Sequence, residues 1–147
     1  MVVSHQRRMA LIKQINALHP EDAILLEAPT VDERQMNKPQ DLWIYSGIEM
    51  IASCAKKTNG VYNGCLYTVL EIGEKITLQS NSGEVTLSRD QVARDLRCAA
   101  AFTYHATQGK SLTGTVKCWD LDHPRMTLQH LYVGLSRGTS HALVSVD

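Results

Sequence analysis

Ala99-Ala100-Ala101-Phe102-Thr103-Tyr104-His105-Ala106-Thr107-Gln108-Gly109-Lys110-Ser111-Leu112-Thr113-Gly114-Thr115-Val116-Lys117-Cys118-Trp119-Asp120 is the stretch whose reading decides the fold. Its Gly109-Lys110-Ser111 imitates the end of a phosphate-binding loop, G-x-x-x-x-G-K-[ST], in which backbone amides and a lysine cradle phosphates at a helix N-terminus. The first glycine of that pattern would stand at 104, which is Tyr104. A helix should follow as well, yet Leu112-Thr113-Gly114-Thr115-Val116 leads into a strand. The stretch is not a Walker A motif, and no other part of the chain fits one. It reads as a buried strand (99–104), a polar loop and a second buried strand (115–120), the alternation expected of an α/β sheet.

Downstream the pattern continues. Leu128, Leu131, Tyr132 and Leu135 recur at i, i+3, i+4 and i+7, Pro124 suits a first-turn position, and Gly138 is placed to end the helix. Ala142 to Val146 then reads as another buried strand. At ~100° per residue Arg137 falls opposite the apolar stripe, in the last turn, where periodicity alone makes it a solvated arginine complementing the helix dipole.

Upstream, residues 1–28 read as a short strand (Met1 to Ser4), a helix (Gln6 to Leu18) and a second strand (Ala23 to Leu26). Leu11, Ile12, Ile15 and Leu18 form the helix stripe, and His19-Pro20 stops it. Arg8 falls at ~60° from Leu11, inside that stripe, whereas Arg7 falls outside it. A guanidinium there must be paired or snorkel out of the helix end. Glu27 to Asp41 is polar and broken by Pro29 and Pro39, a linker or surface loop.

Residues 42–98 change character. Leu42 to Tyr45, Gly47 to Ala52, Cys65 to Ile72, Ile76 to Gln79 and Glu84 to Leu87 are strand-like runs separated by Asn59-Gly60, Asn63-Gly64, Gly73-Glu74 and Asn81-Ser82-Gly83. Those turn residues tolerate positive φ, so a small antiparallel barrel is expected. The division is 1–41 with 99–147 as an α/β domain and 42–98 as an inserted β subdomain.

Composition bounds the rest. The 147 residues suffice for one ordinary domain, and 44% hydrophobic content is ample for a core. Fifteen basic and fifteen acidic side chains cancel, so nucleic-acid binding would need a local arrangement of charge rather than a global field. Cys54, Cys65, Cys98 and Cys118 have no C-x-x-C spacing and read as reduced thiols of an intracellular protein. Cys118, His123 and His130 lack a fourth ligand at a usual spacing, so no metal site is expected. No signal region opens the chain, and no run approaches the ~20 apolar residues of a membrane span.

Phe102-Thr103-Tyr104-His105-Ala106-Thr107-Gln108-Gly109-Lys110-Ser111-Leu112 resembles motif V of superfamily 1 DNA helicases of the Pif-type and RecD/Dda-like branch, and Leu131-Tyr132-Val133-Gly134-Leu135-Ser136-Arg137 resembles their motif VI. Val2-Val3-Ser4-His5-Gln6-Arg7-Arg8, running on to Asn16, is similar to motif IV, and the β segment resembles the SH3-like subdomain inserted in their second RecA-like domain. Two positions depart from the pattern: Ala106 stands where the family has Lys, removing a positive charge, and Gly134 where it has Ala. Motifs I, Ia, II and III have no counterpart here.

The resemblance implies a RecA-like parallel sheet with helices, interrupted by a small antiparallel SH3-like barrel. It implies the C-terminal motor half of an ATP-dependent helicase, moving 5′ to 3′. ATP and Mg2+ would be bound mainly by an N-terminal RecA-like domain of the same protein, and this chain alone would be inactive. Arg137 would be the catalytic arginine finger, with Arg8 as its motif IV partner and Arg7 in reserve; Gln108 and Gly109 would join them at the ATP. An arginine suits this because it is always charged and forks across phosphate oxygens. Single-stranded DNA or a duplex junction would be the partner, met by Thr103, His105 and Thr107, with Lys56 and Lys57 either touching the strand or lying in a solvated turn. The competing readings are a nucleic-acid-binding or scaffold module without ATPase activity, and part of a viral-type superfamily 1 RNA helicase.

Overall fold

The computed structural model describes residues 1–31, 38–54, 60–109, 111–112, 115–139 and 144–146. They belong to two compact units, Met1–Leu11 with Ala101–Asp147, and Ile12–Ala100. Residues 12–41, which the sequence reading grouped with the α/β part, lie in the same unit as the β segment 42–98.

In the Ile12–Ala100 unit, β3 (Glu49–Ala52), β4 (Leu66–Ile72), β5 (Lys75–Ser80), β6 (Gly83–Ser88) and β7 (Leu96–Cys98) form one antiparallel sheet in the order β6-β5-β4-β3-β7. Alternation decides which face is buried: Met50, Ala52, Tyr67, Val69, Ile76 and Leu78 are at most 2% exposed while their neighbours face outward. The β5–β6 hairpin closes where Ser80 pairs with Gly83 across Asn81-Ser82, and Gly83 takes φ 115°, a conformation that suits a residue without a Cβ. A register shift between Val69 and Glu71 bends β4.

Among the described residues this sheet does not close into the expected barrel: β6 and β7 remain its two edges. Between those two edges in sequence stands a helix the sequence pattern did not assign, α2 (Arg89–Asp95), which leaves β6 at once and returns the chain to the opposite edge. Ser88 and Gln91 form a reciprocal capping box at its start, the S-x-x-Q signature of a helix N-terminus. In the same unit β1 (Ile24–Leu26) pairs antiparallel with β2 (Leu42–Ile44). The Asn16 side chain imitates a third strand beside β2, donating to the Trp43 carbonyl at 2.8 Å and accepting from its amide at 2.7 Å.

In the other unit the described pairings are parallel, as an α/β reading requires. β8 (Val116–Cys118) pairs with β9 (Val144–Val146), and single bridges join Val2 to Thr103 and Leu112 to Gly138. The expected strands at Met1 to Ser4 and Ala99 to Tyr104 shrink to the first of those bridges, because the chain turns into helices on both sides of it. Met1, Tyr104, Val116 and Cys118 are the buried cluster, flanked by Val3, Phe102, Leu112 and Met126.

Helix α1 (His5–Asn16) buries Arg8, Leu11, Ile12 and Asn16. Ile15 and Leu18, expected in the stripe, are 44% and 85% exposed. Helix α3 (Leu128–Leu135) departs further from expectation. Its leucine–tyrosine stripe is outside, with Leu128 85%, Tyr132 71% and Leu135 44% exposed. The inward side is glycine: a Cβ at Gly134 would lie 2.8 Å from Cys118 Sγ and 2.9 Å from Tyr104 Cε1. The absence of a side chain lets the helix seat on the cluster with that face, and the apolar stripe at ~100° per residue is carried to the far side. Pro124 precedes the helix rather than opening it; Thr127 is the N-cap, boxed with His130.

Candidate functional site

The Thr103–Leu112 segment and α3 meet within one unit. After the Val2–Thr103 bridge the chain makes a single 3-10 turn, His105–Thr107. Thr103 Oγ1 accepts from the Ala106 amide at 3.3 Å, and Thr107 Oγ1 donates to the Tyr104 carbonyl at 2.8 Å. Both threonines are buried, Thr107 completely, and their hydroxyls hold the turn together. His105, Ala106, Gln108 and Gly109 are exposed, with Gly109 at φ 74°.

Tyr104 is the floor of this region. Its hydroxyl donates to the Trp119 carbonyl at 2.9 Å, and its ring meets His130 edge-on at 5.7 Å between centroids. Burial, reinforced by Cys118 and Asp120, holds the phenol far above the ordinary tyrosine range. A cleft of about 210 Å3 lies above it, lined by Tyr104, His105, Gln108, Gln129, His130 and Val133. Gln129 and His130 were not anticipated; the Thr127-x-x-His130 spacing, a variant of the capping box, was the signal that places them on the first turn of α3.

Arg137 follows α3 and is half-buried, its Nη2 donating to Ser136 Oγ at 2.9 Å. Its backbone is tied to the other motif. Leu112 donates to the Arg137 carbonyl at 2.8 Å and accepts from the Thr139 amide at 3.2 Å, forming the parallel bridge to Gly138. Leu112 stands three positions after Gly109 in the sequence, and one rung of backbone hydrogen bonds joins it to Arg137 and Thr139.

Arg7 and Arg8 separate as the helical wheel requires. Arg8 is 6% exposed, and burial lowers its pKa. Arg7 is exposed and its Nε lies 3.4 Å from an Asp120 carboxylate oxygen. Asp120 adopts φ 63°, a left-handed conformation that aspartate tolerates better than most residues, and its other oxygen accepts from the Val3 amide at 3.1 Å. Lys56 and Lys57 lie outside the described residues. Among the described residues no group of three His, Cys, Asp or Glu side chains converges as a metal site, and no helix is long and apolar enough to cross a membrane.

No model of a protein family matches the chain, and no curated protein matches it. Solved structures do. A Bacteroides Pif1 bound to single-stranded DNA matches at TM-score 0.71 and 19% identity over 99% of this chain. Pif1 helicase from Candida albicans matches at TM-score 0.66 and 16% identity over 99% of it. A Bacteroides Pif1 in complex with ADP-AlF3 and single-stranded DNA matches at TM-score 0.63 and 20% identity, again over 99%. The chain spans 39%, 43% and 39% of those three proteins. At such identities the likeness is one of fold: this chain folds as part of those helicases does, an α/β domain with an antiparallel β insertion.

Proposed function

We propose that this chain is the second RecA-like domain of an ATP-dependent DNA helicase, the C-terminal half of a motor that moves 5′ to 3′ along a single strand. The observation that carries the reading is the rung between Leu112 and residues 137–139, which ties the loop of motif V to the arginine of motif VI. A motor needs such a link, because hydrolysis at one ligand has to be felt at the other. In this reading His105 is the strand contact of the motif V turn, joined by Lys56 and Lys57. Gln108 and Gly109 belong to the loop facing the nucleotide. Arg137 is the finger that meets the γ-phosphate as charge spreads over its oxygens, with Arg8 as the second cation. ATP and magnesium are held mainly by a first RecA-like domain of the same protein.

The strand half of the reading is tested by fluorescence anisotropy of a labelled short single strand with this chain at low salt. Binding is expected to be weak, tolerant of sequence and lost as salt is raised, the signature of contacts to phosphates. Absence of binding at low salt would remove His105 and its turn from the strand path.

A further inference from the structure

Of the side chains that build the cleft between the 3-10 turn and α3, the reading above uses His105 and Gln108 and leaves Tyr104, Gln129, His130 and Val133 without a role. His105 and Gln108 enter it from the turn, Gln129 and His130 from the first turn of α3, and Tyr104 with Val133 closes its apolar base. His105, Gln108 and Gln129 make no side-chain hydrogen bond among the described residues. His130 is half committed: the Thr127 amide donates to its Nδ1 at 3.2 Å. In the neutral ring the proton therefore sits on Nε2, leaving a donor to spare.

The lining selects a ligand class. Among the described residues no lysine or arginine borders the cleft, so a phosphate would find no formal cation from them there. Two carboxamides each offer a donor and an acceptor, the combination that matches the edge of a nucleobase and is wasted on an acceptor-only phosphate. Imidazole faces supply flat surfaces on which an unstacked base can lie. The volume of about 210 Å3 suits one base and not a whole nucleotide.

We propose that this cleft receives a single unstacked nucleobase of the bound strand, its edge read by Gln129 and the Nε2 proton of His130, its face covered by His105. The proposal rests on the strand-binding reading and adds to it a contact that senses the base rather than the backbone. One base held in this way is worth roughly 5- to 100-fold in affinity.

The experiment compares this chain's anisotropy titrations with a short oligodeoxynucleotide and with the same strand made abasic throughout its centre. The expected result is at least a ~5-fold preference for the base-bearing strand. Gln129→Ala should shrink that preference to below ~2-fold, while Leu128→Ala, the exposed neighbour outside the cleft, should keep it; circular dichroism establishes that both variants are folded. Equal binding of the two strands by the unaltered chain overturns the base pocket and leaves the backbone contact standing. A preference that survives Gln129→Ala overturns the assignment of the base to this cleft. Failure of either strand to bind overturns the pocket together with the reading it rests on.

Discussion

Tyr104 carries three duties at once: it floors the cleft, its hydroxyl holds the Trp119 carbonyl, and its ring limits how close α3 can come. Its raised pKa has a consequence for stability. The unfolded chain releases the phenolic proton near the ordinary value of about 10 while the folded chain keeps it, so the stability it contributes is whole below that pH and falls as pH rises beyond it. Urea midpoints measured at about pH 8 and about pH 11 should fall between the two, and Tyr104→Phe should flatten that limb; an unchanged slope in the variant would refute the role. Arg137 belongs to the same scale. In the complete enzyme Arg137→Ala is expected to slow strand-stimulated ATP hydrolysis by about 10³ or more, with circular dichroism unchanged; retained turnover would end its candidacy. Arg8 was legible in the sequence because a helical wheel puts it on the buried side. The fates of Thr103 and Thr107 were not, since a hydroxyl reads the same whether it serves a ligand or its own turn.

Helix α3 shows what an apolar stripe can and cannot say about orientation. The sequence located the helix within a few residues but pointed the wrong side inward, because periodicity records which residues share a face and not what that face meets. Gly134 decides it, and a glycine carries no weight in a hydropathy pattern. Gly134→Ala is expected to destabilise the fold by about 1 kcal/mol: overpacking against Cys118 and Tyr104 costs about 1–3, and alanine's helix propensity returns up to about 1. Leu128→Ala, at 85% exposure, should stay within about 0.5 kcal/mol. Chemical denaturation of the two variants checks the contrast, and equal effects would mean the helix sits otherwise. Helix α2 was equally available to inspection through Ser88-x-x-Gln91. The barrel expectation rested on short strands and turn residues, which mark an antiparallel sheet without saying whether its edges, here β6 and β7, meet.

At the scale of the whole chain the fold was readable and the site only partly so. Turn residues and strand alternation marked the β segment, while the parallel pairings of the other unit depend on partners far apart in sequence, which no local pattern encodes. If the nucleotide is held mainly by another domain, as proposed, the purified chain should show no strand-stimulated ATPase activity, and measurable turnover would contradict that proposal. Joining it to a first RecA-like domain should restore turnover that depends on Arg137. The rung at Leu112 gives that joined enzyme a mechanical property. Two backbone hydrogen bonds of one parallel pair lie side by side and share a load along the strand direction. A pull on the loop that carries Gln108 and Gly109 is then taken up as shear on the main chain of Arg137 and its neighbours. If Arg137 is the proposed finger, it is in this sense a strain gauge, mounted on the same beam as that loop.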